Sequence, residues 1–141
     1  MKVMKKKVLC IEQNHSLGFV IKTVLSESFL VKVVPNAFDA MDELIKDDTN
    51  CIILAVEKEN KQSLNFLQHL RSSSLLKNTP VVVISDYDDN FLREICQQSN
   101  ISKIYRKPFD PLRLLDTVQS LCSTVDTSQV LFENRKILNL N

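Results

Sequence analysis

Polar side chains fall where short apolar runs end. Glu12 and Gln13 follow the first run, Glu57 lies just beyond Ala55 at the close of the third, Ser85 closes the fourth, and Lys107-Pro108 follows the fifth. In an open sheet of alternating strands and helices, sites form outside the carboxyl ends of the strands, near the point where strand order reverses. Such an edge would collect a carboxylate, a hydroxyl and an ammonium group from separate elements. A lysine among apolar strand ends is costly unless it is paired, because desolvation penalises a lone charge by several kcal/mol. Glu12 is the expected partner of Lys107, with Glu57 as the second choice; either would make a fixed internal ion pair.

Other chemistries lack support. His15 reads as a solvent-facing or capping residue at a helix start and His69 as a surface residue, and neither has the Ser or Cys partnership of nucleophilic catalysis. The chain has one glycine, Gly18, so no glycine-rich phosphate loop can be written anywhere in it. Cys10, Cys51, Cys96 and Cys122 are widely separated, with no CxxC pair. They read as reduced, mostly buried thiols rather than zinc ligands. Eighteen basic against 17 acidic residues leave a formal charge of +1, which supplies no large field for nucleic acid or an anionic membrane. Glu57-Lys-Glu-Asn-Lys61 is too mixed in sign to form a basic patch. The apolar run Val8–Ile11, after a lysine-bearing start, is far shorter than a signal-peptide core or a membrane span. A soluble, cytoplasmic protein is the expectation.

The elements that must position these side chains can be read from hydrophobic period. Runs rich in β-branched residues, at Lys7–Ile11, Leu30–Val34, Cys51–Ala55, Val81–Ser85 and Ile101–Tyr105, predict strands. Three of them are apolar throughout, so both faces of those strands should be covered, as in a parallel sheet with helices on both sides. Helical stretches are predicted at His15–Ser28, Ala37–Lys46, Lys61–Ser72, Asp89–Gln98 and Asp110–Cys122. In the last, Leu114, Leu115, Val118, Leu121 and Cys122 form one apolar stripe. With 141 residues, 44% of them hydrophobic, the chain suits a single α/β domain over residues 1–122. Residues 123–141 read either as one more helical stripe or as two strands around Glu133-Asn-Arg135, in an extension or linker.

At this point the sequence resembles response-regulator receiver domains of the chemotaxis-protein type. Tyr105-Arg-Lys107-Pro108-Phe109 is similar to the family's Lys-Pro-Phe ending of strand five, and Pro80-Val-Val-Val-Ile-Ser85 to its strand four ending in a switch hydroxyl. The resemblance covers about residues 5–122. It implies a flavodoxin-like, doubly wound, five-stranded parallel sheet of order 2-1-3-4-5. It further implies that Lys107 matches the phosphoryl-contacting lysine and Ser85 the hydroxyl that follows its arrival, while Pro108 is the candidate for a cis peptide. Glu12 and Gln13 stand at the paired acids that hold Mg²⁺, one of them now an amide. Ala55 stands at the phospho-accepting aspartate, Ile104 at the switching aromatic with Tyr105 on the opposite strand face, and Ser63 at the glycine before the third helix.

These departures imply a degenerate receiver. A methyl group offers no oxygen to attack phosphorus or ligate a metal, and Glu12 alone, with Glu57 or Glu59 as remote additions, is a poor Mg²⁺ set. The expected function is a two-component signalling module, not an enzyme and without a cofactor or metal. It would bind a protein partner, or itself, through the helix-four, strand-five and helix-five face, where Phe91, Leu92 and Ile95 are candidates. A receiver using another acceptor, Glu57 or Glu12, is the alternative, and a small flavodoxin-like cofactor binder or enzyme stands third.

Overall fold

The computed structural model describes residues 5–123. The chain alternates β1 (Lys7–Ile11), α1 (His15–Leu25), β2 (Leu30–Val34), α2 (Ala37–Lys46), β3 (Cys51–Val56), α3 (Lys61–Ser72), β4 (Val81–Ser85), α4 (Asn90–Gln98), β5 (Lys103–Arg106) and α5 (Pro111–Ser123). Its five strands are parallel, in the order β2-β1-β3-β4-β5. The expected fold class and strand order are therefore those observed.

Local chemistry explains the helix starts. The side chains of Asn14, Asn36, Asn60 and Asp89 accept hydrogen bonds from the first-turn amides of Leu17, Asp39, Gln62 and Leu92. Asp110 does the same for Leu112, with Pro111 at the first helical position, where its missing N–H costs nothing. Short side-chain acceptors at these places satisfy donors that the helix itself leaves orphaned.

Alternation along the strands sorts the core into two layers. Leu9, Ile11, Ile52, Leu54, Val81 and Val83 face α2, α3 and α4. Val8, Cys10, Cys51, Ile53, Val82 and Ile84 face α1 and α5. All of these are buried, which is why β1, β3 and β4 read as unbroken apolar runs.

The structure shifts several boundaries and one placement: β3 runs on through Val56, β5 through Arg106 and α5 through Ser123, and Asp89 and Asp110 cap α4 and α5 rather than join them. β5 begins at Lys103 rather than Ile101 because Asn100 adopts a left-handed conformation, φ 56°. Around it Ile101 N–H donates to the Cys96 carbonyl and Asn100 N–H to that of Gln97. This is a Schellman-type helix end, in which the residue after the left-handed one packs back on the helix, so Ile101 closes α4 and joins the core instead of the strand. α1 ends at Leu25, where Ser28 and Phe29 both donate to the Leu25 carbonyl and turn the chain toward β2. Ser63 lies inside the first turn of α3, not before it. The alternative readings offered for the segment after Ser123 lie outside the described residues.

Gly18 is buried on α1, and a Cβ there would stand 3.0 Å from Val33 Cγ1. Two effects oppose each other when it becomes alanine: helix propensity gains about 1 kcal/mol, and the crowded methyl costs a similar amount or more. Gly18→Ala alone is expected to leave stability within about 1 kcal/mol of the natural chain. In a Val33→Ala background the same change should stabilise by about 1 kcal/mol. Urea denaturation of the four-member cycle measures this, and independence of the two substitutions would show that the close approach carries no energy.

Candidate functional site

The carboxyl ends of β1, β3, β4 and β5 meet at one edge, and the predicted pair is present there. Glu12, which continues the β1 ladder by donating its N–H to the Val34 carbonyl at 3.0 Å, has a side chain that is 0% exposed. Its Oε1 accepts from Lys107 Nζ at 3.1 Å and from the Asn14 N–H at 3.2 Å. Oε2 is buried and has no hydrogen-bond partner among the described residues. A desolvated carboxylate of this kind depends on its cation, since removing either partner of a buried pair leaves an uncompensated charge. The pair is felt by its neighbour: burial, then the Glu12 charge, push the Cys10 thiol up to about 12, against a smaller opposing influence of Lys107.

Lys107 is held from behind as well. Its N–H donates to the Ser85 carbonyl at 2.7 Å, which carries the β4–β5 ladder one step past the strand, and the Lys107-Pro108 peptide is cis. Ser85 is fully buried. Its hydroxyl donates to the Tyr87 carbonyl at 2.7 Å and accepts from the Tyr87 N–H at 3.1 Å, closing a tight turn at the end of β4. Both of its hydrogen bonds are thus committed to its own loop.

Ala55 borders a cavity of about 110 Å³ that Lys107 and Glu12 do not line. Gln13, Asn36, Asn60, Gln62 and Ser63 supply amides and a hydroxyl to its wall, Glu57 supplies the one carboxylate, and no lysine or arginine is among the lining residues. The Oδ1 atoms of Asn36 and Asn60 are already engaged as helix caps. Sequence reasoning thus brought Ala55, Gln13 and Glu57 together correctly, and Glu12 with Lys107, but as two neighbouring clusters rather than one. His15 and His69 are both exposed.

On β5 the register sets Ile104 beside Val83 and Tyr105 beside Ile84, so the two side chains take opposite faces. Ile104 is 38% exposed. Tyr105 turns toward α5, its hydroxyl hydrogen-bonding Thr117 Oγ1 and donating to the Arg113 carbonyl, its ring 6.0 Å from that of Phe109. A second buried charge went unread in the sequence: Lys7, 8% exposed at the other end of β1, pairs with Glu43 at 3.1 Å and Asp47 at 3.5 Å. The signal was available, since a lysine opening an apolar strand needs an anion, and α2 presents Glu43 four residues before Asp47.

Among the described residues no three His, Cys, Asp or Glu side chains gather as metal ligands, and no helix is long and apolar enough to cross a membrane.

Comparison with known proteins agrees with this architecture. Solved structures of the same fold include a response regulator from Thermotoga maritima, with TM-score 0.74 and 23% identity, covering 85% of this chain and 99% of that one. A CheY-like receiver domain protein from Methanospirillum hungatei gives TM-score 0.79 at 13% identity, covering 88% and 98%. Among curated proteins, the transcriptional regulatory protein GltR of Pseudomonas aeruginosa is 22% identical over 126 residues. That match takes in 89% of this chain and 52% of the relative, so the chain spans about half the length of that protein. The model of the response regulator receiver domain matches residues 8–119, from β1 into α5. The chain therefore belongs to the response regulator receiver domain family.

Proposed function

We propose that this receiver domain is a two-component signalling module that works by phosphorylation-independent protein–protein interaction. The observation that carries the reading is Ala55, which takes the place of the phospho-accepting aspartate in the resemblance and borders a small cavity walled by amides, one hydroxyl and Glu57. A methyl group has no lone pair to form an acyl phosphate. An incoming phosphoryl dianion would also meet a carboxylate and no cation on that wall. The residues do not fit Mg²⁺: Gln13 is an amide, Ala55 is a methyl, and the one well-placed oxygen of Glu12 is held by Lys107. No catalytic role is assigned to any side chain here.

In this reading the Glu12–Lys107 pair holds the strand ends in one state without phosphate. Partners, or a second copy, would meet the β5 edge, where α4, β5 and α5 present Phe91, Ile104 and Leu112, exposed by 62%, 38% and 61%. Leu92 and Ile95, candidates by sequence, are buried and belong to the core instead.

A second reading has one observation in its favour: Glu57 lines the same cavity as Ala55 and would be the substitute acceptor. Incubation with acetyl phosphate and Mg²⁺ followed by intact-mass measurement separates the two. The natural chain is expected to gain no mass. A stoichiometric, acid-labile adduct would overturn the proposal, and mapping it to Glu57 or Glu12 would name the acceptor.

A further inference from the structure

Beside the ion pair, the first turn of α1 and the loop from β5 into α5 border an open cleft of about 350 Å³, lined by Leu17, Lys107, Pro108 and Phe109. Its two sides are tied together through one atom. Glu12 Oε1 accepts from Lys107 Nζ and from the Asn14 N–H, and Asn14 Oδ1 accepts in turn from the Leu17 N–H. The Phe109 ring lies 6.0 Å from that of Tyr105, whose hydroxyl is hydrogen-bonded to α5. Leu17 and Phe109 are half-buried and Pro108 is exposed. The cleft is thus preformed, with three apolar side chains around a single cation, which is the make-up of a small-molecule pocket.

That cation has capacity left. An ammonium carries three donors. Among the described residues Lys107 Nζ spends one of them, on Glu12, and its side chain is 23% exposed. The other buried lysine of this sheet shows the filled arrangement: Lys7 takes two carboxylates, Glu43 at 3.1 Å and Asp47 at 3.5 Å, and its side chain is 9% exposed. Lys107 has one carboxylate where Lys7 has two, and it is the one charged residue lining an otherwise apolar cleft.

We propose that this cleft binds a small apolar monocarboxylic acid, its carboxylate accepting from Lys107 alongside Glu12 and its hydrocarbon part covering Leu17, Pro108 and Phe109. The charge selects one carboxylate. Glu12 already balances Lys107, so a ligand of charge −1 reproduces the arrangement around Lys7, whereas a phosphate dianion adds further negative charge and has no apolar surface to bury. The hydrocarbon part is needed as well, because a partly exposed ion pair by itself contributes little to binding, while apolar area removed from water adds to it in proportion. The site shares no residue with Phe91, Ile104 and Leu112 and is separate from the proposed docking face. Its occupant would rest on the lysine that neutralises Glu12.

Titration of the isotopically labelled full chain with phenylacetate, phenylacetamide and inorganic phosphate, followed by amide chemical shifts, tests this. Phenylacetate is expected to give saturable shifts at Leu17, Lys107 and Phe109 with a Kd of about 1 mM. Phenylacetamide, of the same shape without the charge, should bind about tenfold more weakly, and phosphate should neither saturate these shifts nor displace phenylacetate. Leu17→Glu sets a like charge at the half-buried rim and should weaken phenylacetate about tenfold while changing phenylacetamide little. No saturable shift at these residues by about twenty times the expected Kd, equal affinity for acid and amide, or displacement by phosphate would overturn the inference, the last by showing a general anion site. The three titrations of the natural chain decide without any variant, and their failure would leave the docking face, tested through Leu112, untouched.

Discussion

Lys107→Met is expected to lower the unfolding free energy by about 3 kcal/mol, the lower part of the range for removing one partner of a buried ion pair. Among the described residues the ammonium is the one charged partner of a Glu12 side chain that is 0% exposed, and the other carboxylate oxygen already lacks a hydrogen bond there. Methionine matches the length of the stem and removes only the charge, so the loss reports the stranded carboxylate rather than lost packing. The reverse change is expected to cost less. Glu12→Gln leaves Lys107, which is 23% exposed, able to turn its head to water, and should cost about 1–2 kcal/mol. Replacing both, as Glu12→Leu with Lys107→Met, should return most of the loss, since a buried pair exchanged for apolar groups is often neutral. Urea denaturation of the cycle measures all three. A Lys107→Met protein as stable as the natural chain would show that the pair is not structural, and with it the phosphate-free lock would fall.

Leu114→Ala is expected to cost about 3 kcal/mol, and Leu112→Ala within about 0.5 kcal/mol of nothing, although the two leucines are neighbours on the same turn of α5. Leu114 is 0% exposed and packs with Val118, Ile53 and Ile84 in the layer beneath α5. Truncating it leaves a cavity between helix and sheet that the close-packed core can only partly collapse. Leu112 is 61% exposed and loses little on folding. The contrast matters for function because Leu112 is one of the three exposed apolar residues of the proposed docking face. Leu112→Ala should therefore weaken partner binding or self-association while leaving the thermal midpoint unchanged, and Leu114→Ala should do the reverse if assayed below its own midpoint. Equal loss of stability from both would mean that the helix packs in another rotation than the structure shows.

The residues that made the fold legible are specific. Val8–Ile11, Cys51–Ala55 and Val81–Ile84 are apolar on both strand faces, which only a sheet covered on two sides can use. The helices announce themselves through hydrophobic period, most plainly in α5, where Leu114, Leu115, Val118, Leu121 and Cys122 form one stripe, whereas the capping roles of Asn14, Asn36, Asn60, Asp89 and Asp110 emerge from the structure. β5 was the exception, because Ile101 carries the same β-branched signal whether it pairs in a strand or folds back on α4. The left-handed Asn100 decides between them, and that choice depends on where α4 must end to reach the edge of the sheet.

Of the site, the Glu12–Lys107 pair was readable because an ammonium among apolar strand ends has few affordable partners, and Glu12 is the carboxylate directly after β1, at the same edge of the sheet. The position of Ala55 at the end of its strand was equally readable. The separation of that position from the ion pair was not, because it depends on side-chain direction at the strand ends, with Gln13, Glu57 and Ser63 closing around Ala55 while Glu12 turns toward β5. Ser85 was legible as a hydroxyl at the right place but not as one whose hydrogen bonds turn back to Tyr87.

By itself the amino-acid order determined the class of fold, the succession of strands and helices, and the chemical types gathered at the sheet edge. Those follow from period, capping and burial, which are local or averaged over a whole face. Only the tertiary structure decided between the partners that chemistry left open, Glu12 rather than Glu57 for Lys107, and it alone paired Lys7 with Glu43. Contacts of this kind depend on the crossovers that carry distant segments to adjacent places and on angstrom-scale packing between layers, and neither is written in any single stretch of the chain.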